Sequence, residues 1–146
     1  FQFTPHDVWD YDAQETPALI DTTWQGQPRK LLVQANRNGF FYVLDRTDGR
    51  FLAGTQYVKT VTWAKGLDEK TGRPIEAPGI RYGLDPVVLA PGPPGGHNWQ
   101  PMAYSPDTGL VYIPAREMAG YYNDEGRTPQ NWQMTLRLLR LLMRSG

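Results

Sequence analysis

Leu31-Leu32-Val33-Gln34-Ala35-Asn36-Arg37-Asn38-Gly39-Phe40-Phe41-Tyr42-Val43-Leu44-Asp45-Arg46-Thr47-Asp48-Gly49-Arg50-Phe51-Leu52-Ala53 decides the fold class. Leu31 to Ala35 and Phe40 to Asp45 are short apolar runs, rich in aromatic and branched side chains and bounded by turn formers, which is the pattern of strands. The polar turn between them ends in Asn38-Gly39, a strong hairpin signal because both residues tolerate positive φ. A second turn carries Asp48-Gly49 and opens onto Phe51-Leu52-Ala53. Consecutive hairpins of this kind make a meander, and an all-β fold is expected.

Working outward, Ala18-Leu19-Ile20-Asp21-Thr22-Thr23-Trp24 reads as a strand entered through Thr16-Pro17 and ended by the turn Gln25-Gly26-Gln27-Pro28. Downstream, Tyr57 to Trp63 alternates well enough to predict another strand. From Gly66 to Gly96 turn formers dominate, and a functional loop anchored by Ile80-Arg81-Tyr82 and Val87-Val88-Leu89 is expected. Strands resume at Pro101-Met102-Ala103-Tyr104 and Leu110-Val111-Tyr112-Ile113-Pro114-Ala115, joined by the turn Ser105-Pro106-Asp107-Thr108-Gly109. Recurrence of one strand, Asp-and-Gly turn, strand design suggests stacked four-stranded units, as in a β-propeller. The residues alone leave β-propeller and β-sandwich open.

The segment 131–146 differs in kind. Leu136, Leu139, Leu142 and Met143 recur at helical spacing beside a stripe of Arg137, Arg140 and Arg144, the pattern of a basic amphipathic helix. A core-packing helix, a non-native terminus and a membrane- or partner-facing surface are the readings open to it. The expected division is therefore 1–130 and 131–146.

Fifteen basic residues balance fifteen acidic ones, so no broad field draws the chain to nucleic acid. With no cysteine, disulfides and thiolate metal sites within the chain are excluded. The 15 Gly, 13 Pro and 12% aromatic residues favour short strands and turns over helices. The chain starts with Phe, carries no apolar run of membrane-spanning length and begins at once in motif-like sequence, so an internal piece of a longer protein is expected.

The candidate chemistry sits in Phe1-Gln2-Phe3-Thr4-Pro5-His6-Asp7-Val8-Trp9-Asp10-Tyr11-Asp12, where three carboxylates and a histidine crowd among four aromatic rings. Acids set between Trp and Tyr invite a raised pKa or a bound cation. The plainer alternative has Asp7 capping a turn, Asp10 and Asp12 in solvent and the rings in the core. Asp7 and Asp10, lined by Trp9 and Tyr11, are also compatible with a carboxylate-pair glycoside hydrolase.

Thr4 to Asp12 resembles the catalytic-aspartate segment of the quinoprotein alcohol dehydrogenases, which use pyrroloquinoline quinone (PQQ) and a metal ion. The resemblance implies that Asp10 is the base. Ala35-Asn36-Arg37-Asn38-Gly39-Phe40-Phe41-Tyr42-Val43-Leu44-Asp45-Arg46 looks like the family's second signature, which puts Arg37 in the place of the arginine that contacts the quinone oxygens. Gly95-Gly96-His97-Asn98-Trp99-Gln100-Pro101-Met102-Ala103-Tyr104 is similar to a third, which places Asn98 and Trp99 beside the cofactor. Asp12 stands two residues after Asp10, where relatives that use a lanthanide instead of calcium carry an extra aspartate. If the segment is a strand, both carboxylates face one way and reach one cation. His6 and His97 are expected to be hydrogen-bonded structural residues.

The resemblance further implies an eight-bladed propeller, of which this chain would form a few blades and the remainder of the propeller would supply a glutamate and an asparagine ligand. It implies a small primary alcohol as substrate, a c-type cytochrome or other electron acceptor, and a periplasmic location. The isolated chain is expected to be inactive. A non-catalytic propeller segment serving as an interaction surface is the other alternative.

Overall fold

A computed structural model describes residues 1–124 and Gly126. The predicted helix at 131–146 and the boundary at 130 lie outside the described residues. Within them the regular structure consists of strands alone: β1 Ala18–Trp24, β2 Gln27–Ala35, β3 Phe40–Asp45, β4 Phe51–Gln56, β5 Ala64–Leu67, β6 Pro74–Glu76, β7 Val87–Leu89, β8 Ala103–Ser105, β9 Leu110–Tyr112 and β10 Gly120–Tyr122. The predicted meander is present as a four-stranded antiparallel sheet in the order β1-β2-β3-β4. Three two-stranded sheets follow, β5 with β6, β7 with β10, and β8 with β9.

Because strand side chains alternate in direction, β3 feeds two cores. Phe40 and Tyr42 face Trp9, Tyr11, Trp63, Ile80 and Leu89. Val43, with Phe41 at the margin, faces Ile20, Leu31 and Val33 on the other side, where Tyr104 and Val111 of β8 and β9 close over the sheet. The first core is aromatic at its centre, with the Trp63 ring 5.2 Å from Trp9 and 5.3 Å from Tyr11. Burying each such ring is worth roughly 1.5–3 kcal/mol, which is what ties a segment without strands of its own to the sheet.

Residues 36–39, between β2 and β3, form a turn that is itself buried. Gly39 has φ +95°, and a Cβ there would stand 2.8 Å from Val61 Cγ2, so both conformation and space demand glycine. Asn38 is wholly enclosed. Its Oδ1 accepts the Phe40 N–H at 3.0 Å, and its Nδ2 donates to Tyr42 Oη at 2.9 Å and Thr4 Oγ1 at 3.2 Å. Its carbonyl accepts the Trp63 indole N–H at 2.8 Å.

The strand predicted at Tyr57 to Trp63 does not form. Main-chain groups there find partners in two different loops, Tyr57 N–H on Gly39 O and Thr62 N–H on Ala90 O, so no neighbouring strand continues the ladder. The predicted loop from Gly66 to Gly96 is less irregular than expected. Asp68 Oδ1 gathers the N–H groups of Lys70 and Thr71 at the tip of a β5–β6 hairpin. The chain then reaches β7, which pairs with β10 in the register Val88 to Tyr121. Its anchors Ile80 and Leu89 are buried as expected.

Replacing Asn38 with alanine leaves the enclosed Phe40 N–H without its partner and the Tyr42 hydroxyl with only a long bond of 3.5 Å to Phe3 O, at a cost of about 2–4 kcal/mol. Thermal or urea unfolding of the intact protein should show that loss, while Asp48→Ala, on an exposed turn, should stay within about 0.5 kcal/mol of the parent.

Candidate active site

The opening segment owes its shape to Asp7. Its carboxylate accepts the N–H of Trp9 at 2.8 Å and of Tyr11 at 2.7 Å, and this double cap curls the chain. Burial pushes the Asp7 carboxyl above its ordinary value, against the pull of those two N–H groups. Trp9 and Tyr11 turn inward, 0% and 2% exposed, and are fastened by Trp9 Nε1 to Ile80 O and Tyr11 Oη to Pro91 O. Asp10 and Asp12 are left on the exposed side.

This geometry corrects two expectations. Asp10 has φ +68°, outside the β region, so Asp10 and Asp12 do not share a face by strand pleating. The cause is the Asp7 cap, which bends the chain where a strand would have been straight. The carboxylate pair of a glycoside hydrolase is not formed either, since Asp7 is engaged by main-chain N–H groups and its supposed stacking rings lie in the core.

Arg37 stands in the buried turn and reaches up to Asp10. Its Nη2 donates to Pro93 O at 2.6 Å and meets Asp10 Oδ2 at 3.3 Å. The arginine side chain is 8% exposed and that of Asp10 63%, so a buried cation supports an accessible carboxylate. The lid over Arg37 depends on glycine. A Cβ on Gly95 would fall 2.7 Å from Arg37 Cβ, and Gly96 N–H donates to Arg37 O at 2.9 Å. The Arg37 Nε is buried and has no partner.

Asn98 joins the opening segment to this lid. Its Oδ1 accepts from Gln14 Nε2 and its Nδ2 donates to Pro94 O, both at 2.8 Å. Trp99 is 73% exposed beside it, and so is not the core residue that its type alone would suggest. His97 is fully buried, with Nδ1 2.9 Å from Ala35 O and Nε2 2.6 Å from Gln100 O, in keeping with a structural role. His6 contributes its carbonyl, which accepts from Arg81. The three sequence segments thus converge, with Asp10 and Arg37 in direct contact, Asn98 bonded to Gln14 of the opening segment and to Pro94 next to the Pro93 carbonyl that Arg37 holds, and Asp12 exposed. Among the described residues no three His, Cys, Asp or Glu side chains converge to hold a metal ion.

One residue of the site carried no signal in the sequence. Glu15 is 2% exposed, and neither carboxylate oxygen has a hydrogen-bond partner. Burial pushes its carboxyl up to about 7, opposed by the nearby main-chain N–H groups of Glu15 and Arg37 and by the Arg37 charge, with Asp12 adding to the rise.

A sequence profile described as "Glucose/ethanol/alcohol dehydrogenase, beta-propeller domain" matches residues 1–71. The quinohemoprotein alcohol dehydrogenase ADH IIB of Pseudomonas putida is 50% identical over 127 residues, 87% of this chain and 18% of that protein. The crystal structure of quinohemoprotein alcohol dehydrogenase from Comamonas testosteroni superposes with a TM-score of 0.82 at 43% identity, covering 91% of this chain and 19% of that one. This chain belongs to the quinoprotein alcohol dehydrogenase family. Its four-stranded sheet and the pairs that follow are therefore part of a β-propeller. A europium-containing methanol dehydrogenase is also similar, with a TM-score of 0.75 and 40% identity, over 79% of this chain and 20% of that one. The chain spans about a fifth of the length of these family members.

The raised Glu15 carboxyl favours the proton-bound folded state, so its contribution to stability is full below about pH 4.5 and is lost as pH rises through about 7. Glu15→Gln should remove that slope and stabilise the protein above pH 7, on the order of 1 kcal/mol once solvent screening is allowed for. Melting temperatures of the two proteins measured from pH 5 to pH 8 would show it; parallel curves would contradict it.

Proposed function

We propose that this chain contributes part of the active site of an enzyme that oxidises primary alcohols to aldehydes by hydride transfer to PQQ, with calcium or a lanthanide ion at the same site. The observation that carries the reading is the pair of a buried Arg37 and an exposed Asp10, on segments that match the family's signatures. When bound, the quinone supplies the hydride acceptor and the metal ion polarises it. The residues present fit such a group. Arg37 offers fixed donors and a charge that burial makes effective, suited to oxygens that gain negative charge. Asn98 lends an amide that both donates and accepts, and Trp99 an exposed ring, on the loop that follows Pro93 and Pro94.

Asp10 is the base. Its carboxylate is open to an incoming hydroxyl, and Arg37 beneath it holds it in place while it takes up the proton. Asp10 and Asp12 would hold the metal ion together with a glutamate and an asparagine from the remainder of the propeller. Asp12 favours a lanthanide, because an added carboxylate suits a hard trivalent ion. A c-type cytochrome or another carrier would remove the electrons, and the relatives named quinohemoproteins support a haem acceptor. The location would be periplasmic.

Dye-linked alcohol oxidation by the intact protein, reconstituted with PQQ and either calcium or lanthanum, tests this. Asp10→Asn should lower kcat by about 10²–10⁴-fold, the usual size of a general-base contribution. Asp12→Ala should depress the ratio of lanthanum- to calcium-supported activity by at least about tenfold. Absence of quinone-dependent oxidation of any primary alcohol would overturn the reading.

A further inference from the structure

Asp7 has no part in the proposed proton transfer, yet both of its carboxylate oxygens are committed on either side of Asp10. Oδ1 accepts the Trp9 N–H at 2.8 Å and Oδ2 the Tyr11 N–H at 2.7 Å. In extended chain those two N–H groups would stand about 6.6 Å apart, farther than the oxygens of one carboxylate bridge with straight bonds. The double cap therefore folds the chain back at the residue between them, and Asp10 takes φ +68°. Aspartate enters that left-handed conformation more readily than most side chains, but it persists only where the surroundings impose it. The carbonyls of the same bend are held as well, Val8 O by the Tyr82 hydroxyl at 2.6 Å and Trp9 O by the Tyr122 hydroxyl at 3.2 Å. Those bonds and the buried Trp9 and Tyr11 rings fasten the segment to the fold, but the main-chain N–H directly after Asp10 is held by Asp7.

We propose that Asp7 is a positioning residue for the reaction, acting through Asp10: its double cap holds Asp10 in the left-handed conformation that sets the base's carboxylate against Arg37 and leaves it open to solvent. The 3.3 Å contact of Asp10 Oδ2 with Arg37 Nη2 joins the opening segment to the β2–β3 turn, so it depends on the course of the backbone at residue 10. Without the cap, residue 10 relaxes toward the β region and its carboxylate swings away from the guanidinium. Asp7 makes and breaks no bond to substrate, and its effect falls on the geometry of the base, hence on kcat. The kinetic part of this inference rests on the reading of Asp10 as the base of alcohol oxidation, and the structural part does not.

Two sets of measurements on the intact protein test it. A crystal structure of Asp7→Ala should show Asp10 out of positive φ and its contact with Arg37 broken. Amide hydrogen exchange should quicken at both Trp9 and Tyr11 in Asp7→Ala, and at one of them in Asp7→Asn, which keeps the shape but a single acceptor oxygen. With saturating alcohol, Asp7→Ala should lower kcat by about 10²-fold, the size of loss that a displacement of about 1 Å brings, while KM changes little. In an Asp10→Asn background, which keeps the bend because asparagine also tolerates positive φ, the same change should lower kcat no further. Should Asp7→Ala fail to fold, Asp7→Asn serves in every arm, with a smaller loss of kcat that again disappears in the Asp10→Asn background. An equal loss of kcat in both backgrounds would make Asp7 a support of the fold alone and overturn the proposal, as would an Asp7 variant in which Asp10 keeps its φ and its contact with Arg37. If the parent oxidises no alcohol, the dehydrogenase reading fails, while the crystal structure and the exchange rates still decide whether Asp7 sets the conformation of Asp10.

Discussion

Asn38 closes its own turn through the Phe40 N–H, grips Tyr42 and Thr4 with its amide and receives the Trp63 indole on its carbonyl, all without access to water. A polar turn in the interior requires that its strong donors and acceptors be answered, and these bonds supply most of the answers, with Asn36 Nδ2 and Arg37 Nε the exceptions. Everything at the site hangs on that requirement. The turn that satisfies it also sets Arg37 one residue earlier, under the loop that carries Pro93 and Gly95. It brings in the opening segment through Thr4 and the chain after β4 through Trp63.

The opening segment has no hydrogen-bonded neighbour strand, so its order comes from side chains. Trp9 and Tyr11 fill the aromatic core, and Tyr122 Oη, donating to Trp9 O at 3.2 Å, fastens it from the far end of the described chain. Arg81 covers the Trp9 ring at 5.0 Å and clasps Glu76 with two bonds. With the rings inside and Asp7 capping the bend, Asp10 is left projecting above Arg37. Placing the residues of the site on different loops while tying them by hydrogen bonds combines accessibility with a defined position.

The four-stranded sheet is legible in the sequence because its signals are local: Asn38-Gly39 and Asp48-Gly49 select hairpins whatever lies elsewhere. The Tyr57 to Trp63 segment misleads because its alternation is real but no strand is available to pair with it. The short strands β6, β7 and β10 give too few residues for a pattern, and β7 finds β10 across a wide gap in sequence. At the site, Asp10, Arg37, Asn98 and Trp99 are proposed through the family's wording, and the geometry groups their segments. Glu15 is not, because nothing in Asp12-Ala13-Gln14-Glu15-Thr16 says which acid is taken inside. Burial of a lone carboxyl is decided by tertiary packing. The strand assumed for Asp10 and Asp12 fails for a related reason, since the hydrogen bonds of Asp7 override the local preference.

The central claim is that Asp10 and Arg37 act as one unit, a carboxylate that takes the proton and a buried cation that holds it ready. A double-mutant cycle on kcat/KM for alcohol oxidation by the intact protein, using Asp10→Asn, Arg37→Gln and both together, addresses it directly. The account predicts a double variant about as slow as the slower single one, because removing either partner already disables the pair. Losses that simply multiply would contradict it and make the 3.3 Å contact incidental.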